Sequence, residues 1–452
     1  MLQYTTQVFN DLGGPMLHDD LKKLNNYPFH MPGHKRNGDF GILGSDIDIT
    51  EIENFDNLHH PESSILEIET KLKNIYGAKK SFMLVNGSTV GILSAVLAVT
   101  NKGDKIVIAR NCHKSVYNAC FLNELNVVYV EPEFNTENGF YGKVTQSAVD
   151  KVLKENSDAK ALVITSPTYE GVISDVTAPV PLIIDSAHGA HFGFSSFPKY
   201  PEGDIVVSSL HKTLPALTQT AVINIYNEKF TPRVKKYLGI LETSSPSYVL
   251  MNSVSKLAEI LETKTALFDE LAENLKELYA TKLNRLKFVV TDDMSKIVVS
   301  ASTANINGVE LSNILRDNYR IECEMASINY VLLISSIGDK KGAFQNLSNA
   351  LAQIDLTLKN IPQKTIEKPP LPQKFCDTFK EFETVKTKFS ECEGFVSGET
   401  VYAYPPDVPI ICRGEIFTPS VIRYINECIK NKVNIISEGN SLPQYVLTKK
   451  RD

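Results

Sequence analysis

Short apolar runs rich in β-branched residues alternate with longer amphipathic stretches along the first half of the chain. Seven of these runs are typical of buried strands: Ser81–Val85, Lys105–Ala109, Asn126–Val130, Ala161–Thr165, Pro181–Asp185, Asp204–Ser208 and Ala221–Ile225. Three stretches between them have helical length, at residues 89–101, 113–124 and 144–156. This alternation predicts an α/β fold with a mainly parallel, seven-stranded sheet that is covered on both faces.

Outside this region the pattern predicts a helical arm and two further units. Residues 1–29 favour a short arm, and Ser63-Ser64 can cap a helix that ends at Tyr76. Residues 251–282 lack proline and glycine and predict one long connector helix. A smaller α/β unit follows, with apolar runs at Lys287–Val290, Ile297–Ser300 and Tyr330–Ser335. We divide the chain into an arm (1–62), a large domain (63–250), a connector with a small α/β domain (251–365) and a C-terminal domain (366–452).

Composition narrows the class of protein. The 452 residues carry a net charge of -6, which gives no reason to expect a nucleic acid or an anionic membrane as a partner. No apolar run reaches the roughly 18 residues of a membrane helix. The seven cysteines are scattered without a CxxC pair and predict reduced thiols in a cytoplasmic protein. All nine histidines lie between His18 and His211, which places the chemistry in the first half of the chain.

The most informative residues follow two of the predicted strands. Lys212 comes just after the strand that begins at Asp204, and Asp185 ends the strand before it. Open α/β sheets bind ligands at the carboxyl ends of their strands. Pyridoxal phosphate (PLP) needs a lysine for its Schiff base and an acidic partner for its ring nitrogen. Considered alone, Lys212 is more simply interpreted as a solvated lysine in a loop. The presence of Asp185 at the end of the preceding strand favours the PLP site instead.

A phosphate-binding turn is predicted between the first strand and the next helix, where Asn86 precedes Gly87, Ser88 and Thr89. Glycine lets the backbone approach an anion closely, and a helix N-terminus supplies N–H donors. The spacing of His188 and His191, with His211 nearby, also suggests a metal site. The chain has no HExxH motif, and we predict no metal.

The motif D-S-A-H-G-A-H at residues 185–191, followed by S-x-H-K-T at residues 209–213, resembles the group III ornithine/lysine/arginine decarboxylases of PLP fold type I. Further matching motifs are H-x-P-G-H-K at residues 30–35, D-x-T-E at residues 48–51 and the region from Tyr404 to Glu415. Arg413 stands where the family usually has proline. The resemblance implies an aspartate aminotransferase-like fold and PLP-dependent decarboxylation of arginine, lysine or ornithine. Because the first strand begins near residue 81, we expect no N-terminal wing domain and no wing-mediated decamer.

The resemblance also implies roles for individual residues. Lys212 would hold PLP, Asp185 would pair with its ring nitrogen, and Lys212 or His211 would return a proton to the substrate carbon. His113 would stack on one face of the ring, Ala187 would pack on the other, and His188 would lie near the phenolic oxygen or the substrate carboxylate. The implied phosphate contacts are Gly87, Ser88, Thr89, Ser209 and His211 from the same subunit, and Thr243 and Ser244 from a neighbouring one. A shared site predicts a homodimer or a larger homo-oligomer.

Substrate choice is less constrained by the sequence. A basic side chain needs an acidic partner, and we predict that Glu51, Glu53 or Asp56 in the polar arm binds the distal cation. An aminotransferase or lyase on the same fold remains an alternative, because Arg316, Arg320, Arg413 and Arg423 are available to bind an α-carboxylate. A catalytically inactive regulator is a second alternative, which the retained Lys212 and Asp185 disfavour.

Overall fold

The computed structural model describes residues 17–375, 379, 381–404, 407–439 and 441–451. Residues 1–16 of the predicted arm, Cys376, and Pro405 and Pro406 of the Y-P-P motif lie outside these residues. Among the described helices, none is both long and apolar enough to cross a bilayer.

A seven-stranded sheet forms the centre of the large domain. Its strands are β1 Lys80–Leu84, β2 Lys105–Ala109, β3 Asn126–Val130, β6 Leu162–Thr165, β7 Leu182–Asp185, β8 Ile205–Ser209 and β9 Ala221–Ile225. A two-stranded hairpin, β4 Phe134–Asn135 and β5 Phe140–Tyr141, follows β3. The order in the large sheet is β1-β9-β8-β7-β6-β2-β3, and β9 runs antiparallel to the other six strands. Each of the seven observed strands begins and ends within one residue of the predicted bounds.

Helices cover the sheet. They are α1 Leu17–Lys22, α2 Ser64–Tyr76, α3 Gly87–Val99, α4 Lys114–Leu122, α5 Gln146–Glu155, α6 Leu210–Thr213 and α7 Thr231–Leu241, with short 3-10 helices at Gly38–Phe40 and Glu228–Phe230. Helix α3 packs closely on the sheet because Gly91 faces it. A Cβ atom at this position would lie 2.7 Å from Val207 Cγ1 and 2.8 Å from Leu84 Cδ1. The fit places the N-terminus of α3 at the carboxyl edge of the sheet.

The predicted connector helix over residues 251–282 is wrong, because the chain forms two helices there. These are α8 Tyr248–Thr263 and α9 Ala266–Tyr279. Lys264 leaves the helical region with φ -124° and ψ 38°. It lies between Thr263 and Thr265, whose β-branched side chains favour helices weakly. The absence of proline and glycine was therefore insufficient to predict an unbroken helix.

The small α/β unit has a four-stranded antiparallel sheet. Its elements are β10 Lys287–Val289, β11 Lys296–Ser300, α10 Gly308–Tyr319, β12 Met325–Ala326, β13 Tyr330–Ile334 and α11 Lys341–Thr357. The strand order is β10-β11-β13-β12. One apolar cluster joins Leu72 of the large domain to Met251 and Val331, so packing is continuous across the predicted boundary at residue 250. The domain limits stay predictions.

The C-terminal unit packs against the edge of the large sheet. It contains β14 Thr384–Lys388, a 3-10 helix Phe389–Glu391, β15 Val401–Ala403, β16 Val408–Ile411, α12 Pro419–Lys430, β17 Ile435–Ser437 and β18 Tyr445–Lys449. The guanidinium of Arg110 donates to the carbonyl oxygens of Pro409 and Ile410, each at 2.9 Å. Its Nη2 atom also lies 3.6 Å from Glu415 Oε2. These buried contacts hold residues 407–411 beside the carboxyl end of β2.

Candidate active site

The turn between β1 and α3 has the features of an anion site. Gly87 has φ +76° and donates its backbone N–H to the Gln219 carbonyl at 2.7 Å. Ser88 and Thr89 occupy the first turn of α3, where backbone N–H groups have no helical acceptor. The Ser209 hydroxyl at the end of β8 donates to Ser88 Oγ at 2.9 Å. Two strands therefore bring hydroxyls and free N–H groups to one point.

His211 lies beside this turn. Its Nδ1 atom lies 2.8 Å from the Thr220 carbonyl oxygen and donates a proton to it. This bond leaves Nε2 as the second polar atom of the ring. Burial lowers the pKa of His211, an effect to which the nearby Lys212 charge adds. The lowered pKa favours the neutral imidazole beside the anion site.

Lys212 sits in the short helix α6, which directly follows β8. Its Nζ atom is 3.0 Å from His188 Nε2. Burial lowers the pKa of the Lys212 amine, and the carboxylates of Asp185 and Glu324 oppose this effect only in part. A lowered pKa increases the fraction of neutral amine, which is the form that attacks an aldehyde.

Asp185 ends β7, which pairs in parallel with β8 and places Asp185 opposite Val207. Its side chain is buried, and Oδ1 accepts the N–H of Ala187 at 3.1 Å. Ala187 and His188 follow it into the same cavity. Burial and the charges of Lys212 and Lys296 hold the pKa of His188 well below its ordinary value. His188 is therefore neutral and accepts a hydrogen bond from Lys212.

His113 precedes helix α4 and caps it. Its Nδ1 accepts the Ser115 backbone N–H at 3.2 Å, and Nε2 is 3.4 Å from Asp407 Oδ2. The ring is thus held from both nitrogens, one by its own helix and the other by the C-terminal unit. This arrangement fixes the orientation of a flat side chain at the edge of the sheet.

One cavity of about 690 Å³ brings together most of the predicted site. The predicted residues that line it are Gly87, Ser88, Thr89, His113, Asp185, Ala187, His188, Ser209, His211 and Lys212. Thr243 and Ser244 are not among its lining residues. The Thr243 N–H donates to Asn86 Oδ1 at 3.1 Å, so this segment lies behind the anion turn of its own subunit.

The predicted substrate carboxylates do not line this cavity in their own subunit. Asp56 has a structural contact set instead: its two oxygens accept the backbone N–H groups of Glu62, Ser63 and Ile65 at 2.8 to 2.9 Å. We therefore correct the prediction for Asp56, because its carboxylate is occupied at the start of α2. Glu53 is exposed, and Glu51 is partly buried.

Besides Asp407 of the C-terminal unit, two carboxylates of the cavity were missed by the sequence analysis. Glu324 lies before β12 and accepts the hydroxyl hydrogen of Tyr169. Glu170 is buried and accepts the Tyr330 hydroxyl at 2.7 Å, and burial raises its pKa. Neither residue belongs to a local motif that indicates a ligand, so only the packing of the small unit on the large one reveals them.

Comparisons with known proteins place this geometry in a family. The family model described as "Orn/Lys/Arg decarboxylase, major domain" matches residues 17–290. The chain belongs to this decarboxylase family. It is 30% identical to an arginine decarboxylase of Bacillus subtilis, over 88% of this chain and 89% of that protein. It is 29% identical to an arginine decarboxylase of Bacillus anthracis, over 94% of this chain and 93% of that protein. The constitutive lysine decarboxylase of Escherichia coli has the same fold, with a TM-score of 0.80 at 18% identity, over 96% of this chain and 81% of that one.

This membership confirms three predictions. The fold is PLP fold type I, the protein is an amino-acid decarboxylase for a basic substrate, and its cofactor is PLP. The aminotransferase alternative loses its support. Of the described residues that line the cavity, none is among the four arginines considered for an α-carboxylate.

The residues of the cavity fit the cofactor. A phosphate needs N–H and hydroxyl donors, which the start of α3 supplies together with Ser209. His188 Nδ1 and Asn111 Oδ1, which belong to residues that line the cavity, are among the buried polar atoms of the described residues without a hydrogen bond. Buried polar groups are normally satisfied, so these two atoms indicate a polar ligand.

Proposed function

We propose that this chain decarboxylates arginine, with Lys212 holding PLP and Asp185 as the partner of the ring nitrogen. The observation that carries the assignment is the placement of these side chains at the carboxyl ends of the adjacent parallel strands β7 and β8, in one cavity. The lowered pKa of Lys212 supports it, because the neutral amine forms the covalent link.

The other residues contact different parts of the cofactor. Ser88, Thr89 and Ser209 donate to the phosphate, and Gly87 allows the backbone to approach it. His211 would donate from Nε2 in its protonated form, because the Nδ1 proton is held by the Thr220 carbonyl. His113 lies against one face of the ring and Ala187 against the other. When bound, PLP supplies an electron sink for the carbon that loses carbon dioxide.

Lys212 is the preferred proton donor to that carbon. Its Nζ atom can exchange a hydrogen bond with His188 at 3.0 Å, so the amine has a partner when it is free of the cofactor. His211 is less suited to this role because its Nδ1 proton is held by the Thr220 carbonyl. Asp185 is buried beside the position that we propose for the ring nitrogen.

Arginine is chosen from the three basic amino acids for two reasons. The relatives named arginine decarboxylase match over 88% and 94% of this chain, whereas one named constitutive lysine decarboxylase matches over 58%. Glu324 also offers a carboxylate in the cavity, and a carboxylate can accept two parallel hydrogen bonds from a guanidinium. We propose Glu324 as the partner of the distal cation.

The test is a panel of arginine, lysine and ornithine with detection of released carbon dioxide, on the parent, Glu324→Gln and Glu322→Gln. Glu322 is exposed nearby and is the matched control. We expect arginine to give the highest kcat/KM, and Glu324→Gln to raise the KM for arginine about tenfold, or about 1.4 kcal/mol. A preference for lysine or ornithine would contradict the substrate, and an unchanged KM in Glu324→Gln would contradict the contact.

A homodimer with shared sites is part of the proposal. Segment 27–43 exposes large apolar side chains, namely Tyr27, Phe29, Met31, Phe40, Ile42 and Leu43. Such a patch favours a protein partner. In a dimer, Thr243 and Ser244 would reach the neighbour's phosphate, and Glu51 or Glu53 would close its cavity. We place the protein in the cytoplasm because the six described cysteines are free thiols.

Hybrid dimers test the shared site. Lys212→Ala and Thr243→Glu are each expected to be inactive. When the two are unfolded and refolded together, half of the subunits form mixed dimers that contain one intact site, so about a quarter of the parent activity returns. No recovery, with light scattering showing dimers, would contradict a site shared through Thr243.

A further inference from the structure

The C-terminal unit places a carboxylate in the cavity. Asp407 lies in the turn between β15 and β16 and lines the cavity together with His113 and Lys212. Its backbone N–H donates to the Ala403 carbonyl at 2.9 Å, and its carbonyl accepts the Lys114 N–H at 3.1 Å. Asp407 therefore connects the C-terminal unit to the start of α4 through its backbone as well as its side chain.

The backbone of Asp407 is in the left-handed region, with φ +61°. Residues with a Cβ atom pay free energy for this conformation, which glycine adopts readily. Such conformations persist where surrounding contacts impose them, and they concentrate at functional sites. Asp407 therefore occupies a position at which glycine would be less strained.

The Asp407 carboxylate contacts two residues at the start of α4, its N-cap His113 and Lys114. Oδ2 lies 3.4 Å from His113 Nε2 and 3.0 Å from Lys114 Nζ. His113 Nδ1 lies 3.2 Å from the Ser115 backbone nitrogen and 2.9 Å from Ser115 Oγ, so a neutral ring that accepts both bonds carries its proton on Nε2, the nitrogen nearer Asp407. Burial alone would raise the pKa of Asp407, but the hydrogen bonds from His113 and Lys114 lower it, so the carboxylate is charged.

We propose that Asp407 is a positioning residue for His113. Its carboxylate fixes the Nε2–H tautomer and the plane of the imidazole, so that the ring lies flat against the cofactor. The idea rests on the proposed stacking role of His113. Ser115 restrains only one edge of the ring, and rotation about the Cβ–Cγ bond stays open unless the opposite nitrogen is also held. The large domain thus depends on the C-terminal unit for the orientation of its stacking residue.

The test compares Asp407→Gly with Asp407→Asn in the full-length dimer. Glycine suits φ +61° and removes the side chain, whereas asparagine also tolerates this conformation and keeps an oxygen that can accept the Nε2–H. We expect Asp407→Gly to lower kcat at least about tenfold, and Asp407→Asn to recover to within about threefold of the parent. In a protein that already carries His113→Phe, adding Asp407→Gly should lower kcat by no more than about a further twofold, because the imidazole that Asp407 positions is absent.

A readout without cofactor separates positioning from catalysis. Nitrogen-15 NMR of the apoprotein, assigned with the His113→Phe variant, reports which ring nitrogen carries the proton. We expect the Nε2–H form of His113 in the parent and in Asp407→Asn, and a mixture of tautomers in Asp407→Gly. Lys432→Gly is the control: Lys432 is exposed, has the same φ of +61° and belongs to the same unit. This variant should match the parent in kcat and in the spectrum.

The inference is overturned if Asp407→Gly keeps kcat within about twofold of the parent, or if the His113 signal is unchanged in it. It is also overturned if the variant raises the KM for arginine alone, because Asp407 would then bind substrate. Failure of the stacking role would be seen separately. In that case His113→Phe and His113→Ala would bind PLP equally well, whatever the Asp407 variants do.

Discussion

Asp56 provides the sharpest test of the structure against the sequence, because the two assign it different roles. The polar segment around it predicts a contact with the substrate cation, whereas the structure uses its carboxylate for three backbone N–H groups at the start of α2. Changing Asp56 to alanine removes all three acceptors. Changing it to asparagine leaves one oxygen, which can keep the bonds to Ser63 and Ile65 and loses the bond to Glu62.

The loss can be estimated bond by bond. Each backbone N–H left without its partner costs about 1 kcal/mol at a partly solvated helix end. Asp56→Ala should therefore lose about 3 kcal/mol, and Asp56→Asn about 1–2 kcal/mol. At about 2.1 cal/mol/K of unfolding entropy per residue, 1 kcal/mol corresponds to about 1 °C in a chain of 452 residues that unfolds as one unit. Falls in Tm of about 3 °C and about 1–2 °C follow.

Calorimetry and steady-state kinetics on the same preparations give the answer. Asp46→Asn is the control, because Asp46 is an exposed carboxylate in the same segment and the change removes the same charge. We expect Asp56→Ala to lower Tm and to leave the KM for arginine within about twofold of the parent. A parent-like Tm with a KM raised tenfold would refute the capping role and restore the substrate contact.

Three further predictions concern the cofactor. Lys212→Ala should abolish turnover and the visible absorbance of bound PLP, and cofactor that borohydride still fixes to another lysine of this variant would contradict the assignment. Asp185→Asn should keep PLP but lose most of kcat, because an amide does not keep the ring nitrogen protonated; a rate within about threefold of the parent, under 1 kcal/mol, would exclude this role. His113→Phe should bind PLP more tightly than His113→Ala in a titration, because stacking needs a flat ring, and equal weakening would point to hydrogen bonding.

The fold of the large domain could be predicted because its signals are local. A buried strand such as β2 is a continuous apolar run, and the residue that follows it lies at the sheet edge whatever the rest of the chain does. Lys212 and Asp185 could be placed at this edge of the sheet for the same reason. The parallel pairing of β7 and β8 turned two separate strand ends into neighbours, and the motifs around them gave the family.

The parts that could not be predicted depend on long-range packing. Glu324 and Asp407 belong to units that follow the large domain in the chain, and their sequence surroundings resemble ordinary polar turns. The break at Lys264 lies in a stretch without a strong helix-breaking residue. Asp56 was misinterpreted because a capping carboxylate and a substrate carboxylate have the same local appearance, and only the N–H groups that it meets distinguish them.

The wide spread of the cavity residues along the chain has a consequence for biosynthesis. The residues that line the cavity run from Gly87 to Val433, so its last wall is translated near the end of the chain. A nascent chain folds from its N-terminus, and it carries Lys212 and the anion turn before Asp407 has left the ribosome. The cavity is therefore complete only after release of the full chain, although the residues proposed to bind the cofactor are all translated earlier.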